Sequence, residues 1–206
     1  MMPLIPLMID ISSKKIVVVG GGKVAERRVN TLIRYATDIH IVSPTLTANM
    51  KYMMQRSLIQ WSEKSFEIDD IQQADLIIAA TNDASINLLV RKHKPNHAMI
   101  NMVGSATEGD VVFPSILQRG KLTLSISTSG ASPGLTAQLL MEFQQRFGNH
   151  YEAYVDFLYE CRQRIKQTDL PELKKKKFLK SILADEYLER DKQINVIEWL
   201  DSLKET

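Results

Sequence analysis

Three consecutive glycines stand where a short apolar run gives way to helix-forming residues. The run covers Ile16 to Val19, and it is followed by Gly20, Gly21 and Gly22 and then by Lys23, Val24 and Ala25. This spacing fits the GxGxxG/A pattern, in which the first glycine makes a tight turn, the second lets the backbone approach a pyrophosphate, and a small residue lets the helix pack on the strand. Free N–H groups and the dipole at a helix N-terminus also favour negative charge. The residues from Gly20 to Val24 therefore predict a dinucleotide phosphate site.

The surrounding residues decide between a ligand site and an ordinary turn, because glycine triplets also occur in turns that bind nothing. A helix-compatible stretch, residues 24–34, follows the triplet, and a second apolar run covers Ile39 to Val42. Together with the first run, these segments have the length expected of a βαβ unit. This context favours the nucleotide site over a purely structural turn.

Apolar runs and helical stretches continue to alternate through the first half of the chain. Further strands are predicted at residues 59–61, 76–80 and 99–103, and further helices at residues 46–55 and 84–93. Connections of this length favour a parallel sheet, since antiparallel hairpins need only short turns. We therefore predict an α/β fold with a Rossmann-like parallel sheet, right-handed crossovers and helices on its faces.

Polar residues follow several of these strands, at the edge where open α/β sheets bind ligands. Thr81 and Asn82 end the fourth strand, and Asn101 lies in the fifth. The residues after the second strand are Ser43, Pro44 and Thr45. An acidic residue at that point often holds the ribose of NAD, whereas an arginine marks the 2′-phosphate of NADP. Because nothing cationic stands there for the extra phosphate, we predict NAD as the cofactor, with all of these residues as candidate contacts.

The pattern changes after about Gly104, where short strand candidates follow one another without a long helix between them. These candidates are residues 111–113, 116–117 and 122–127. A helix is predicted over residues 135–147, and the chain is almost wholly helical in pattern from His150 onward. The predicted parts are a nucleotide-binding domain at residues 1–113, a small central α+β module at 114–149 and a helical C-terminal domain at 150–206.

Composition limits the classes of protein to which the chain can belong. The 206 residues carry a formal net charge of +2, too small an excess to indicate nucleic-acid binding. No apolar run approaches the length needed to cross a bilayer, and the apolar opening lacks the basic segment of a signal peptide. The single cysteine, Cys161, excludes an intrachain disulfide framework. We expect a cytoplasmic protein with neither a membrane nor a nucleic acid as its partner.

Two further groups of residues are not predicted to carry out chemistry. His93 and His97 are spaced like zinc ligands on a helix, but Pro95 between them prevents the regular turn that would align them, so no metal site is predicted. The hydroxyl residues at 127–129 have no histidine and acid arranged to activate a nucleophile, which argues against a hydrolase.

Five segments of the chain resemble the precorrin-2 dehydrogenase family, the NAD-dependent unit of siroheme synthases. They are Pro3 to Asp10, which is similar to the opening strand of the family; VVVGGGKVAERR at 17–28; LIIAATND at 76–83; Phe113, Pro114 and Ser115; and ISTSGASP at 126–133. These segments follow one another in the order found in the family. The resemblance implies oxidation of precorrin-2 to sirohydrochlorin, with NAD as the hydride acceptor.

The resemblance also implies a homodimer, whose central module exchanges or pairs segments between subunits. Its substrate is a tetrapyrrole edged with carboxylates, so basic side chains are needed near the rim of the cleft. Arg119 and Lys121 are the candidates, and charges that are merely solvated in a turn are an equal alternative. The segment with Ser127, Thr128 and Ser129 lies near the active cleft in this family, which implies contact with the substrate.

One position departs from the pattern of the family. Family members commonly carry an aspartate just after the fifth strand as a proposed general base, and this chain has Gly104 there. Asp110 and Glu108 in the following loop are the replacement candidates, with Asp110 preferred, unless the substrate loses its proton directly to water. Two alternative functions stay open: a bifunctional enzyme that also inserts iron as a ferrochelatase, and a non-catalytic module that senses NAD(H).

Overall fold

A computed structural model describes residues 4–105 and 107–203 of the chain. Its described residues cluster into two compact units, one within residues 1–113 and the other within residues 114–206. Within those described ranges, no helix is both long enough and apolar enough to span a membrane.

The first unit is built on a parallel sheet. Within residues 4–105 the sheet contains five strands: β1 (Ile16–Val19), β2 (Ile39–Val42), β3 (Gln60–Ser62), β4 (Leu76–Ala79) and β5 (Met99–Met102). The strand order is β3-β2-β1-β4-β5, so the chain moves outward from β1 in one direction and then crosses back to continue on the other side. This reversal creates a switch point beside β1, where open α/β sheets form their ligand crevice.

Helices connect the strands of this sheet. They are α1 (Lys23–Leu32), α2 (Ala48–Gln55) and α3 (Ala84–His93), with a short 3-10 helix at Ile68–Ile71 before β4. All four residues of β1 are buried, because Ile16 and Val18 pack toward α1 and α2 while Val17 and Val19 pack toward α3. Burial on both faces explains why the strand is a continuous apolar run and not an alternating one.

The second unit combines a hairpin with helices. Strands β6 (Ser115–Arg119) and β7 (Leu122–Ile126) pair antiparallel around a turn at Gly120, which has a φ of +53°. The helices that follow are α4 (Pro133–Arg146), α5 (His150–Lys166), α6 (Glu172–Ser181) and α7 (Arg190–Ser202), with a 3-10 helix at Asp185–Leu188.

The core of the second unit lies among its last three helices. Phe157, Cys161, Ile165 and Leu200 are among its buried residues. Burial raises the pKa of the Cys161 thiol to about 12, so this cysteine packs as a neutral side chain.

Two predicted strands are wrong. Residues 111–113 form no strand; instead, Val111 N donates to Ile100 O at 3.1 Å, and the Val111 and Phe113 side chains pack on the core of the sheet. The opening strand implied by the family resemblance is also not formed by residues 4–10, which are exposed and irregular. Pro3, at the start of that segment, lies outside the described residues.

Candidate nucleotide-binding site

A cavity of about 310 Å³ opens where the loops after β1, β2, β3 and β4 meet, at the carboxyl edge of the sheet. The predicted cofactor contacts that line it are Gly20, Gly21, Gly22, Ser43, Pro44, Thr45, Thr81 and Asn82. Lys23, Val24 and Asn101 are not among the described residues that line it. The structure therefore brings together the ends of three separate strands that were predicted to share one ligand.

The glycine loop is shaped by close backbone contacts. Gly20 has a φ of +121°, and a Cβ atom there would lie 2.4 Å from the Ala80 carbonyl oxygen. A Cβ atom on Gly21 would lie 1.9 Å from the Thr45 carbonyl oxygen. Since real Cβ contacts are much longer, both positions require glycine to let the loops after β2 and β4 close on the loop after β1.

Gly22 plays a different part, because a Cβ atom there would meet no described atom within 4 Å. It is the N-cap of α1, and as a glycine it has no side chain that could accept a hydrogen bond from the first turn. The space beside Gly22, at the start of α1, is therefore open, and Gly22 itself lines the cavity. This arrangement fits an anionic phosphate, which is attracted both by free N–H groups and by the helix dipole.

Charged residues of α1 stand beside the same turn. Lys23 Nζ lies 3.4 Å from Glu26 Oε2, and the Lys23 side chain is 80% exposed whereas that of Glu26 is 14% exposed. Hydrogen bonding from Thr47 is the main cause of the lowered pKa of Glu26, followed among the favourable interactions by the charge of Lys23. An acidic group therefore does reach the loop after β2, although it comes from α1 and the sequence analysis missed it.

The loop after β2 is held by hydrogen bonds within the loop and by hydrogen bonds to β3 and to the glycine loop. Ser43 Oγ donates to Thr45 O at 2.8 Å, and Trp61 Nε1 donates to Ser43 O at 2.9 Å. Thr47 N donates to Gly21 O at 3.1 Å, which ties this loop to the glycine loop. Ser43 is only 6% exposed, so its hydroxyl shapes the wall of the cavity from within.

The turn after β4 is fixed by two side chains that the sequence analysis did not select. Asp83 caps α3 by accepting hydrogen bonds from Ser85 N and Ile86 N, and the hydrogen bonds from Ser85 lower the pKa of its carboxyl. Asn87 lies one turn further along α3 and hydrogen-bonds to Thr81. The Thr-Asn-Asp sequence before a helix signals the cap, but nothing in the sequence signals the contact that Asn87 makes.

Comparison with known proteins gives the family of the chain. The sequence model of a family described as "Putative NAD(P)-binding" matches residues 7–115, and that of the SirC C-terminal domain matches residues 151–196. A precorrin-2 dehydrogenase from Priestia megaterium is 31% identical over 96% of this chain and 98% of the relative. One from Bacillus subtilis is 36% identical over 78% of this chain and 99% of the relative. The chain belongs to the precorrin-2 dehydrogenase family.

A solved structure and a longer relative agree with this membership. The structure of SirC, a precorrin-2 dehydrogenase, matches with a TM-score of 0.84 and 30% identity, covering 97% of this chain and all of the other. A siroheme synthase from Actinobacillus pleuropneumoniae is 26% identical over 98% of this chain but only 42% of its own length. The chain therefore covers nearly the whole length of the two precorrin-2 dehydrogenases and less than half of that siroheme synthase.

The loop that follows β5 contains the position at which the sequence analysis compared Gly104 with an aspartate of the family. Gly104 stands there with a φ of +91°, and a Cβ atom would meet no described atom within 4 Å. Asn101, before it, is 4% exposed and donates through Nδ2 to Val111 O at 2.7 Å, while its Oδ1 has no hydrogen-bond partner among the described residues. The structure thus places Asn101 inside the sheet, where it fastens the loop to β5.

The two candidate catalytic acids lie along the side of β5. Asp110 Oδ2 accepts from Ile100 N at 3.2 Å and lies 3.2 Å from Lys94 Nζ. Glu108 Oε1 lies 3.9 Å from Arg91 Nη1, near the end of α3. Because α3 leads the chain away from the carboxyl edge, these cations mark the amino-terminal side of the sheet. Neither acid is among the described residues that line the cavity.

The basic candidates of the second unit already have partners. Arg119 donates through Nε to Phe147 O at 3.1 Å and through Nη1 to Gln118 O at 3.0 Å. Lys121 forms an ion pair with Asp156, and hydrogen bonding to that carboxylate raises the pKa of the lysine. Both side chains therefore attach the β6–β7 hairpin to neighbouring helical segments.

The segment from Ser127 to Ser129 forms a compact turn before α4. Ser129 has a φ of +51°, and its N–H donates to Ser127 Oγ at 3.1 Å. Thr128 Oγ1 accepts from Ser132 N at 3.1 Å, and Ser132 in turn caps α4. These hydroxyl groups set the geometry of the turn.

Proposed function

We propose that this protein is an NAD-dependent dehydrogenase that oxidises precorrin-2 to sirohydrochlorin in siroheme biosynthesis. The observation that carries the proposal is the cavity at the switch point, which is lined by the glycine loop and by the residues after β2 and β4. These loops can approach one another because Gly21 has no side chain. Family membership over nearly the whole chain supports the choice of substrate, since it extends through both units.

The reaction removes one hydride and one proton from precorrin-2. When bound, NAD supplies the hydride acceptor and leaves as NADH. The N–H groups at the start of α1 would hold the pyrophosphate, and the loops after β2 and β4, which line the cavity, would hold the rest of the dinucleotide. The chemical contribution of the protein is thus chiefly to hold the hydride acceptor against the substrate carbon.

The proton has two candidate acceptors: a loop carboxylate and water. Among the side chains of the chain, Asp110 is the first candidate and Glu108 the second, because each lies in the loop that follows Gly104. The contacts of Asp110 with Lys94 and Ile100 N support water as the acceptor, since they already engage this carboxylate beside β5. Variants of both acids decide between the two acceptors.

We further propose that the second unit provides subunit pairing and substrate contacts. Its hairpin and α4, residues 114–149, would form the pairing module of a homodimer, followed by the helical domain at 150–206. Arg119, Lys121 and the turn at Ser127, Thr128 and Ser129 are the proposed contacts for the substrate carboxylates. In that role Lys121 would exchange Asp156 for the substrate, because an exposed ion pair costs little to break.

Charge and cysteine content support our proposals for the partners and the cellular setting. A net charge of +2 gives no reason to expect a nucleic acid or an anionic membrane surface as partner. A single, buried cysteine suits the reducing cytoplasm, where we propose that the protein works.

The direct test mixes the purified protein with NAD and precorrin-2 and follows both NADH formation and the absorbance of sirohydrochlorin. Equal amounts of the two products are expected. NAD binding without turnover would instead support the NAD(H)-sensing module. A separate incubation of sirohydrochlorin with ferrous ion tests the ferrochelatase alternative, which requires metal insertion faster than the spontaneous rate.

A further inference from the structure

Asn87 occupies both backbone hydrogen-bonding groups of Thr81. Its Oδ1 accepts from Thr81 N at 3.1 Å, and its Nδ2 donates to Thr81 O at 3.0 Å. Thr81 Oγ1 lies 2.8 Å from the same Oδ1 and 2.8 Å from Asp83 O, and these two acceptors share its one hydroxyl proton. A single side chain on α3 therefore fixes the residue that follows β4 and Ala80, with its amide in one orientation.

This fixed residue adjoins the glycine loop. A Cβ atom on Gly20 would lie 2.4 Å from Ala80 O and 3.1 Å from Thr81 N, so the peptide between these two residues packs directly on the loop. Any rotation of that peptide would change the floor of the cavity. Asn87, which lies behind the turn, prevents the rotation by satisfying Thr81 on both sides.

The next residue, Asn82, is the part of the turn that remains available. It is exposed and lines the cavity, and the described part of the chain gives it no hydrogen-bond partner. Its amide offers both a donor and an acceptor to a ligand, whereas the polar groups of Thr81 are already engaged. The sequence alone does not distinguish Thr81, whose polar groups are engaged, from Asn82, whose side chain is available to a ligand.

We propose that Asn87 is a positioning residue for the dinucleotide: by holding Thr81, it presents the side-chain amide of Asn82 to the bound cofactor. This inference rests on the proposed function, since it takes the dinucleotide as the ligand of the cavity. Asn87 itself does not touch the cofactor. Its effect on binding therefore has to pass through Asn82.

A double-mutant cycle on the dissociation constant for NAD tests this dependence. Asn82→Ala and Asn87→Ala, measured by calorimetry on the full chain, are each expected to weaken NAD binding by about five- to tenfold, the effect of one lost hydrogen bond. The double variant is expected to bind within about twofold of the weaker single variant, because the second change removes nothing that still acts. Independent roles would multiply the two losses and overturn the proposal.

Two controls separate a positioning role from a loss of folding. Asn30→Ala changes an exposed asparagine on α1 and should leave the dissociation constant unchanged. Asn87→Asp keeps the acceptor for Thr81 N but cannot donate to Thr81 O when ionised, so it should weaken NAD binding while the protein stays folded by circular dichroism. A lower melting temperature with unchanged NAD binding in both Asn87 variants would overturn the proposal. Failure of the unmodified protein to bind NAD would overturn the proposed function instead.

Discussion

Gly21 shows how much of the proposed cofactor site depends on the absence of a side chain. Its missing Cβ atom leaves room for Thr45 O, and its own carbonyl oxygen accepts from Thr47 N. Gly21→Ala would force a methyl group to within 1.9 Å of that oxygen, so the loop after β2 would have to move. We expect NAD binding, measured by calorimetry, to weaken by at least about tenfold, because this loop lines the cavity that we propose as the cofactor site.

Gly134→Ala is the matched control for this change. Gly134 lies in the first turn of α4, and a Cβ atom there would meet no described atom within 4 Å. The control should bind NAD as the unmodified protein does. If Gly21→Ala also did so, the close approach of the two loops would not be needed for the cofactor.

The two loop acids give a second prediction at this scale. Asp110 already accepts from Ile100 N and pairs with Lys94 beside β5, which favours water as the acceptor of the substrate proton. We therefore expect Asp110→Asn and Glu108→Gln to keep the pH profile of kcat, with kcat itself reduced by less than about tenfold. A general base normally contributes about a hundredfold or more, so a larger loss together with an altered profile would identify the base.

At the scale of elements, the sequence predicted best where burial is strongest. β1, β2 and α3 have the predicted bounds. The two strands are buried apolar runs, and the helix is limited by its cap at Asp83 and by Pro95, so few other bounds are possible. Residues 111–113 are apolar for a different reason: Val111 and Phe113 pack on the core without joining the sheet. An apolar triplet looks the same in both cases, so only the tertiary packing distinguishes them.

The N-cap of α4 provides a prediction about an element. Ser132 Oγ accepts from Leu135 N at 3.1 Å, and Pro133 follows it at the first helical position. Ser132→Ala removes the acceptor and should lower the free energy of unfolding by about 1 kcal/mol, measured by urea denaturation.

Ser132→Asp separates capping from other effects of the same change. The aspartate keeps an acceptor for the first turn and adds a charge that the helix dipole favours, so it should retain most of the stability. Equal destabilisation by both variants would contradict the capping role of Ser132.

For the whole molecule, the sequence predicted the family and the strand ends that meet at the cavity, but not the contacts that shape the cavity. Strand ends are local features, so Ser43 and Thr81 could be selected from their positions alone. By contrast, the approach of Gly21 to Thr45 and the pairing of Asp110 with Lys94 join residues from separate loops. Such contacts depend on how the elements pack, and a single sequence does not encode them as a visible pattern.

The proposed homodimer gives the prediction at this scale, and α4 is where it can be tested. None of the described residues 133–146 is buried, even though several of them are apolar. Leu135 and Met141, for example, are 46% and 58% exposed. A helix with an uncovered apolar surface suits a subunit interface, whose centre tolerates few charges. The unmodified protein is expected to sediment with twice the 23.4 kDa mass of one chain.

Met141→Glu should weaken this dimer by roughly a hundredfold, because it places a carboxylate at an apolar interface. Leu173→Glu is the control, since Leu173 is 67% exposed on α6, outside the proposed pairing module. Sedimentation of Met141→Glu as a folded monomer, with Leu173→Glu still dimeric, would support pairing through α4. A dimer that survives the change at Met141 would exclude that surface as the contact, and a monomeric unmodified protein would contradict the homodimer itself.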